Sequence, residues 1–380
     1  MSREDHWSRI RKAKRIVLKV GTSTLTRDGR LRPDRFSALA KDVTAMLDAG
    51  RQVVLVSSGA IAVGATKLGW QHTGQSVREK QAAAAVGQIG LVELYQRRFA
   101  RRDRLVGQVL LTRSGLDQHE RFMNARHTML ELLRLGVVPI VNENDTVATE
   151  EIRFGDNDNL AATIVNAVEA DLLVILTDVE GLYERAPEKG EPPPPLIRTV
   201  DAITPEIESA ASGAGTRFGS GGMITKLEAA KKAARSGAAT ILCHGGTRDV
   251  LSRLIAGEQH GTLFAPGKRL RGRKHWLAFT AKPRGAIVID AGASRALRQR
   301  GRSLLPAGVL RVEGQFEIGD SVRCVNEERQ EVARGLVGYS SKDVAALAGK
   351  PTKEISAVLG YSNGDEVIHR DDLFVIDQRS

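Results

Sequence analysis

The chain has 380 residues, too many for one ordinary domain and enough for two that each bury an apolar core. With 42% hydrophobic and 27% charged residues it is globular rather than disordered, and with only 4% aromatics its core must be Ala, Val, Leu and Ile, which suits helices on a parallel sheet. A net charge of +11 invites a nucleic-acid reading, but residues 1–15 hold six Lys/Arg against two acids and residues 266–275 hold five against none, so nine of the eleven charges fall in two short runs that read as a solvated tail and a linker.

Residues 16–20 form a buried-strand pattern that ends at Gly21. A helix follows, opened by Pro33, carried by Phe36, Leu39, Ala40, Val43 and Leu47, and stopped at Gly50; then comes a strand over 53–56. The alternation continues with a helix over 77–101, strand 109–111, helix 121–135, strand 137–141, helix 160–168, strand 172–176, helix 227–234 and strand 240–243. Such an order predicts an α/β fold: a mostly parallel open sheet with helices on both faces.

Apolar runs such as 172–176 reach five residues, where a spanning helix needs about 20, so no membrane crossing is expected. The charged first fifteen residues lack the apolar centre of a secretory signal, which makes the cytoplasm the expected location. Cys243 and Cys324 are far apart and form no Cys-x-x-Cys, so neither a disulfide framework nor a structural zinc site is indicated.

After residue 265 helical periodicity stops, and the basic stretch 266–284 reads as a linker. Short strands over 286–290, 309–313, 321–325 and 331–339, with helices over 294–300 and 342–347, predict a small, mostly β domain over 285–363 and a C-terminal segment over 364–380.

The first domain lacks both the Walker signature and a Gly-x-Gly-x-x-Gly after its first strand, so phosphate must be held another way. Two glycine-rich segments, Ser57-Ser58-Gly59-Ala60 and residues 213–222, lead into helices whose free N–H groups and dipole favour an anion. Lys19 lies in an apolar strand at the edge where ligands bind in open α/β sheets, and Lys226 lies in an opening helical turn, a poor place for a structural lysine. Asp145, Asp156 and Asp158 gather in loops near that edge. Taken singly, each has a plain structural reading: a snorkelling or solvated lysine, a turn glycine, an Asn157 or Asp158 that caps a helix.

Taken together, Val17-Leu18-Lys19-Val20-Gly21-Thr22-Ser23, Ser57-Ser58-Gly59-Ala60-Ile61, Asn142-Glu143-Asn144-Asp145, Gly155-Asp156-Asn157-Asp158-Asn159-Leu160, Leu176-Thr177-Asp178 and Gly221-Gly222-Met223-Ile224-Thr225-Lys226 resemble, in order, the motifs of the glutamate 5-kinase family. The resemblance divides the chain into an amino-acid-kinase domain over 16–265 and a PUA domain over 285–363. It implies ATP phosphate contacts from Lys19 and from Ser220, Gly221, Gly222, Met223, Ile224, Thr225 and Lys226, and nucleotide contacts from Thr177 and Asp178. Ser58, Asp145 and Asn157 would hold glutamate, and Asp158 would orient the two lysines. Glu184-Arg185-Ala186-Pro187 departs from the family's usual Thr-x-Asp-Pro.

The implied activity is transfer of a phosphoryl group from Mg²⁺-ATP to the glutamate side-chain carboxylate, the first step of proline biosynthesis. Proline as feedback inhibitor, a homo-oligomer and a glutamyl-phosphate reductase as partner come with the resemblance. Acetylglutamate, aspartate and UMP kinases share the plan of the first domain. An RNA-binding protein led by its PUA module is the competing class, and the fifteen Lys/Arg against fourteen Asp/Glu in residues 276–380 give it little electrostatic support.

Overall fold

The computed structural model describes residues 3–27, 30–147, 157–188, 190–212, 222–267 and 283–376. The chain divides into two compact units, one made mainly of residues up to 269 and the other mainly of residues from 270 on.

The first unit is built on strands β1 (Arg15–Val20), β2 (Gln52–Ser57), β3 (Val106–Leu111), β4 (Val138–Glu143), β5 (Leu172–Thr177), β6 (Thr199–Val200), β7 (Ala239–His244) and β8 (Thr262–Phe264). They form one sheet in the order β3-β4-β2-β1-β5-β7-β8-β6. All pairings from β3 to β7 are parallel; β8 runs antiparallel to β7, and β6 is parallel to β8. The short runs Val-Val-Leu-Val in β2 and Leu-Leu-Val-Ile-Leu in β5 are buried throughout, as expected of strands covered on both faces.

β1 is central, and its register pairs Lys19 with Val56 of β2 and Ile175 of β5, so Lys19 stands one residue before the strand's C-terminal end. That edge faces the starts of helices α3 (Ala60–Lys67), α6 (Asn157–Ala167) and α7 (Met223–Arg235) in the strand-to-helix connections, while α2 (Pro33–Asp48) and α5 (His119–Arg134) belong to the connections from β1 to β2 and from β3 to β4. Helix α4 (Val77–Ala100) opens with a capping box in which Ser76 and Glu79 satisfy each other's backbone N–H groups. It packs on α3 at backbone distance: a Cβ on Gly64 would come within 1.7 Å of the Ala83 carbonyl, and one on Gly87 within 1.8 Å of the Ala60 carbonyl. Any larger residue would push the helices apart.

The N-terminal segment departs from the solvated tail expected over 1–15. Arg3–Ile10 is a helix, α1, whose Trp7 and Ile10 are buried in the core of the sheet, and Trp7 Nε1 donates to Thr199 Oγ1 at 3.1 Å. Burial of the apolar pair at i and i+3 outweighs the charged composition of the segment.

The second unit has its own five-stranded sheet of β9 (Gly285–Ile289), β10 (Val309–Gly314), β11 (Ser321–Val325), β12 (Glu331–Leu336) and β13 (Leu373–Val375), in the order β10-β9-β11-β12-β13. Helices Ala291–Arg300 and Ser341–Leu347 are capped by Asp290 and Ser340. Of the segment over 364–380, read from the sequence as separate, the described part to residue 376 joins this core: Val367 and Ile368 are fully buried and β13 pairs with β12. Cys243 and Cys324 are free and buried in different cores, and burial pushes both thiols up to about 12.

Candidate active site

Three charged side chains meet at the C-terminal edge of the central strands. Lys19 Nζ is 2.8 Å from Asp158 Oδ1 and Lys226 Nζ is 3.3 Å from Asp158 Oδ2. Lys19 comes from β1, Asp158 from the first turn of α6 and Lys226 from the first turn of α7, so three separate elements converge. All three are buried, at 7%, 1% and 7% exposure. Burial pushes the Asp158 carboxyl up, but the two ammonium groups and hydrogen bonds from Lys19 and Thr225 outweigh it and hold the group below the ordinary carboxylate range. Two cations around one anion leave a net positive charge, which suits a bound polyanion.

A Cβ on Gly21 would lie 3.3 Å from the Leu176 carbonyl, a tight contact, and 3.5 Å from Lys19 Nζ, at ordinary van der Waals distance. Gly222 caps α7 with nothing within 4 Å of a would-be Cβ, and its carbonyl lies 2.9 Å from Thr225 Oγ1, which also donates to Asp158 Oδ2 at 2.9 Å. Met223 and Ile224 complete that first turn, Ile224 half exposed. Ser220 and Gly221 lie outside the described residues.

Next to the charged group is a neutral one. Asn157 Nδ2 approaches the Ser57 carbonyl at 3.1 Å, Ser58 Oγ at 2.9 Å and Asn142 Oδ1 at 3.1 Å. Asn142 Nδ2 donates in turn to Gln88 Oε1 at 2.8 Å, and Ser57 Oγ shares a 2.9 Å hydrogen bond with the buried Tyr95 hydroxyl. Gln88 also lines a cavity of about 260 Å³ with Ala84, Ile89, Gln108, Glu143 and Asp145. Burial pushes the Asp145 carboxyl up to about 6. Asp145 is therefore joined to Asn157 through a shared wall and two hydrogen bonds rather than by direct contact.

Thr177 ends β5 buried, and its hydroxyl donates to the exposed Asp178 at 2.9 Å. They occupy the same sheet edge one strand from Lys19. Several residues of the site carry no function in the sequence reading. Gln88 is a lone amide on an Ala/Gly face of α4, and Asn142 stands inside a motif without a role. Asn159, which donates to Glu228 Oε2 at 3.3 Å and accepts from Lys232, ties α6 to α7 one residue beyond Asp158. Gln88 carried no local signal, because its partner Asn142 is 54 positions away.

Among the described residues no three His, Cys, Asp or Glu side chains group as a metal cage, and no helix is long and apolar enough to cross a membrane. An open parallel sheet with paired lysines at its carboxyl edge defines a phosphoryl-transfer scaffold without a P-loop. Residues 14–244 match the amino acid kinase family and residues 285–359 the PUA domain, and the chain belongs to the amino acid kinase family. It is 50% identical over 97% of its length to the glutamate 5-kinases of Pelobacter propionicus and Cupriavidus metallidurans, covering 99% of each. The same identity and coverage hold for the glutamate 5-kinase of Burkholderia thailandensis.

Proposed function

We propose that this chain transfers the γ-phosphoryl group of ATP to the side-chain carboxylate of L-glutamate, giving L-glutamyl 5-phosphate for proline biosynthesis in the cytoplasm. The observation that carries the reading is the buried Lys19–Asp158–Lys226 group, with its net positive charge, next to the amide cluster of Asn157. The names of the relatives supply the acceptor.

Glutamate has a side-chain pKa of about 4.3, so the nucleophile is a carboxylate at neutral pH and needs no base. The obstacle is repulsion between that carboxylate and the ATP phosphates, and the negative charge that gathers on the transferred group. Lys19 and Lys226 face this charge from two sides, while Asp158 keeps both ammonium groups in place before substrate arrives. The N–H groups at the start of α7, with Ser220, Gly221, Gly222, Met223, Ile224 and Thr225, add donors to the phosphates, and Thr177 and Asp178 contact the nucleotide. Ser58, Asn157 and Asp145 hold glutamate, Asp145 taking the α-ammonium group.

Mg²⁺ would accompany the ATP phosphates and, when bound, would neutralise part of their charge. The same reading includes feedback by proline, a homo-oligomeric enzyme and delivery of the unstable acyl phosphate to a glutamyl-phosphate reductase.

The test is incubation with ATP, Mg²⁺ and hydroxylamine while glutamate, acetylglutamate, aspartate or UMP is offered in turn, following ADP release and hydroxamate. Glutamate is expected to be preferred by about 10² or more in kcat/KM, a gap that a buried, hydrogen-bonded amino-acid site supports. ADP release with another acceptor and none with glutamate would overturn the assignment.

A further inference from the structure

The amide of Asn157 has its direction set by a chain of donors and acceptors that begins at a backbone carbonyl. The Ser57 carbonyl can only accept, and it lies 3.1 Å from the Asn157 side-chain amide, so the nitrogen must face it. The same nitrogen lies 3.1 Å from Asn142, which must then present its oxygen there. That turns the Asn142 nitrogen toward Gln88, 2.8 Å away, and Gln88 must answer with Oε1. Three amides are thus aligned in one sense. Gln88 Nε2, at the far end, is buried without a partner among the described residues.

Two consequences follow. The Asn157 atom left for substrate is Oδ1, an acceptor, which suits an ammonium group and not a carboxylate. The alignment also depends on an acceptor at position 88: a donor or an apolar group there leaves the buried Asn142 Nδ2 unpaired and favours the flipped amide. Gln88 is well placed for such a task. It is 9% exposed, it follows Gly87 at the close α3–α4 contact, and it shares the wall of a cavity with Asp145.

We infer that Gln88 is a positioning residue: its side-chain carbonyl fixes the Asn142–Asn157 amide pair so that Asn157 Oδ1, together with Asp145, receives the α-ammonium group of the substrate. This inference deepens the proposed glutamate site and rests on it.

The experiment compares the full-length protein with Gln88→Met and Gln88→Glu, using hydroxamate formation from glutamate and from glutarate, which lacks only the amino group. Gln88→Met keeps the volume and removes the acceptor. It is expected to lower the glutamate-to-glutarate ratio of kcat/KM about tenfold or more, through KM for glutamate, with KM for ATP within about twofold. Gln88→Glu keeps an oxygen toward Asn142 and replaces only the unpartnered NH₂. Its added charge repels two dicarboxylates alike, so the ratio should stay within about threefold of wild type or rise. A packing role predicts the reverse order, with Met tolerated and Glu harmful. Gln88→Lys, which offers only donors, is expected to lower the ratio as far as Met does and serves if the Met variant does not fold. An unchanged ratio in the Met or Lys variant, or a ratio in the Glu variant that falls as far as theirs, overturns the inference alone. Failure of the wild type to use glutamate overturns the substrate reading and this inference with it.

Discussion

Asn157 and Asp158 are neighbours in the first turn of α6, yet their surroundings differ in kind. Asp158 stands between two buried ammonium groups, whereas Asn157 is held by a carbonyl, a hydroxyl and a second amide, all neutral. The charged side has a net charge and little direction; the neutral side has direction and no charge. Each suits its half of the proposed reaction. A phosphoryl group in flight has charge spread over three oxygens and is stabilised by any well-placed cation. An amino acid is told from its analogues by hydrogen bonds of fixed polarity, because a buried donor or acceptor left unpaired is costly. In the proposed reaction one helix start would therefore divide turnover from recognition, and variants on the two sides should separate into kcat and KM effects.

The largest effect is expected on the charged side. Asp158→Asn leaves two buried lysines without their counter-charge, and breaking a buried pair in this way costs about 3–5 kcal/mol. Both activity and thermal stability should fall, as read by ADP release and by calorimetry. The sign with pH is also fixed. The Asp158 pKa is lowered in the fold, so its contribution is present above the ordinary carboxylate pKa and is lost as pH falls through the lower folded value. Wild type and variant should thus converge in acid, and a constant gap down to pH 2 would break the assignment.

Lys226→Ala comes next. It removes a cation most needed in the transition state, and loss of one such donor typically costs about 10²–10³ in rate. The expected signature is a fall in kcat with KM for glutamate little changed. A raised KM with normal kcat would place Lys226 on the recognition side and erase the contrast.

Asp145 sharpens the other half. With its carboxyl titrating at about 6, it is ionised at pH 7.5 and protonated in mild acid. KM for glutamate should rise as pH falls below about 6, while glutarate, with no amino group, shows no such rise. Asp145→Asn should raise KM for glutamate about tenfold at pH 7.5 and flatten that pH dependence. Stability should move the opposite way. The folded pKa is raised above 3.8 by burial, so the contribution of this group is fully present below that value and is lost as pH rises through about 6. Above it the buried charge is a burden, and Asp145→Asn should raise Tm at pH 7.5 by about 2–4 °C, equivalent to about 1 kcal/mol. A variant that loses both affinity and stability would mean that Asp145 is part of the scaffold instead.

How much of this was legible in the sequence depended on range. β1, β2 and β5 could be read because a run such as 172–176 is apolar without interruption, and Lys19 stood out by breaking one. Lys226 was conspicuous as a cation at a helix start. By contrast, β4 was expected to end at 141 and runs to Glu143, because Asn142 and Glu143 pair with β3 despite low strand propensity. Gln88 was invisible: its partner is 54 positions away, and nothing local tells an amide that fixes another amide from one in water. α1 was missed for a related reason, since two apolar residues among six basic ones carry a weak periodic signal until the sheet they cover is known. Polarity along the amide chain is a property of the folded neighbours, not of any one segment.

The smallest effect is expected from removing everything after Gly267. The described partners of Asp158 and Asn157 run from Lys19 to Lys226, and the last strand of the first sheet in chain order, β8, ends at Phe264. The cut also preserves the hydrogen bond from Gly267 N to the Ala234 carbonyl at 2.9 Å, which ties the end of the chain to α7. The two cores share no residues: one gathers Trp7, Leu18, Leu55, Leu176 and Leu263, the other Ile287, Val322, Val332 and Ile368. A chain ending at Gly267 should therefore fold, with kcat, KM for glutamate and the glutamate-to-glutarate ratio all within about threefold of full length. Circular dichroism verifies the fold and the hydroxamate assay supplies the kinetics. If the truncated protein is well folded and kcat alone collapses, the second unit supports the lysine group. If the ratio alone collapses, it supports the amide chain. Either result would end the view that turnover and recognition are both contained in one sheet edge.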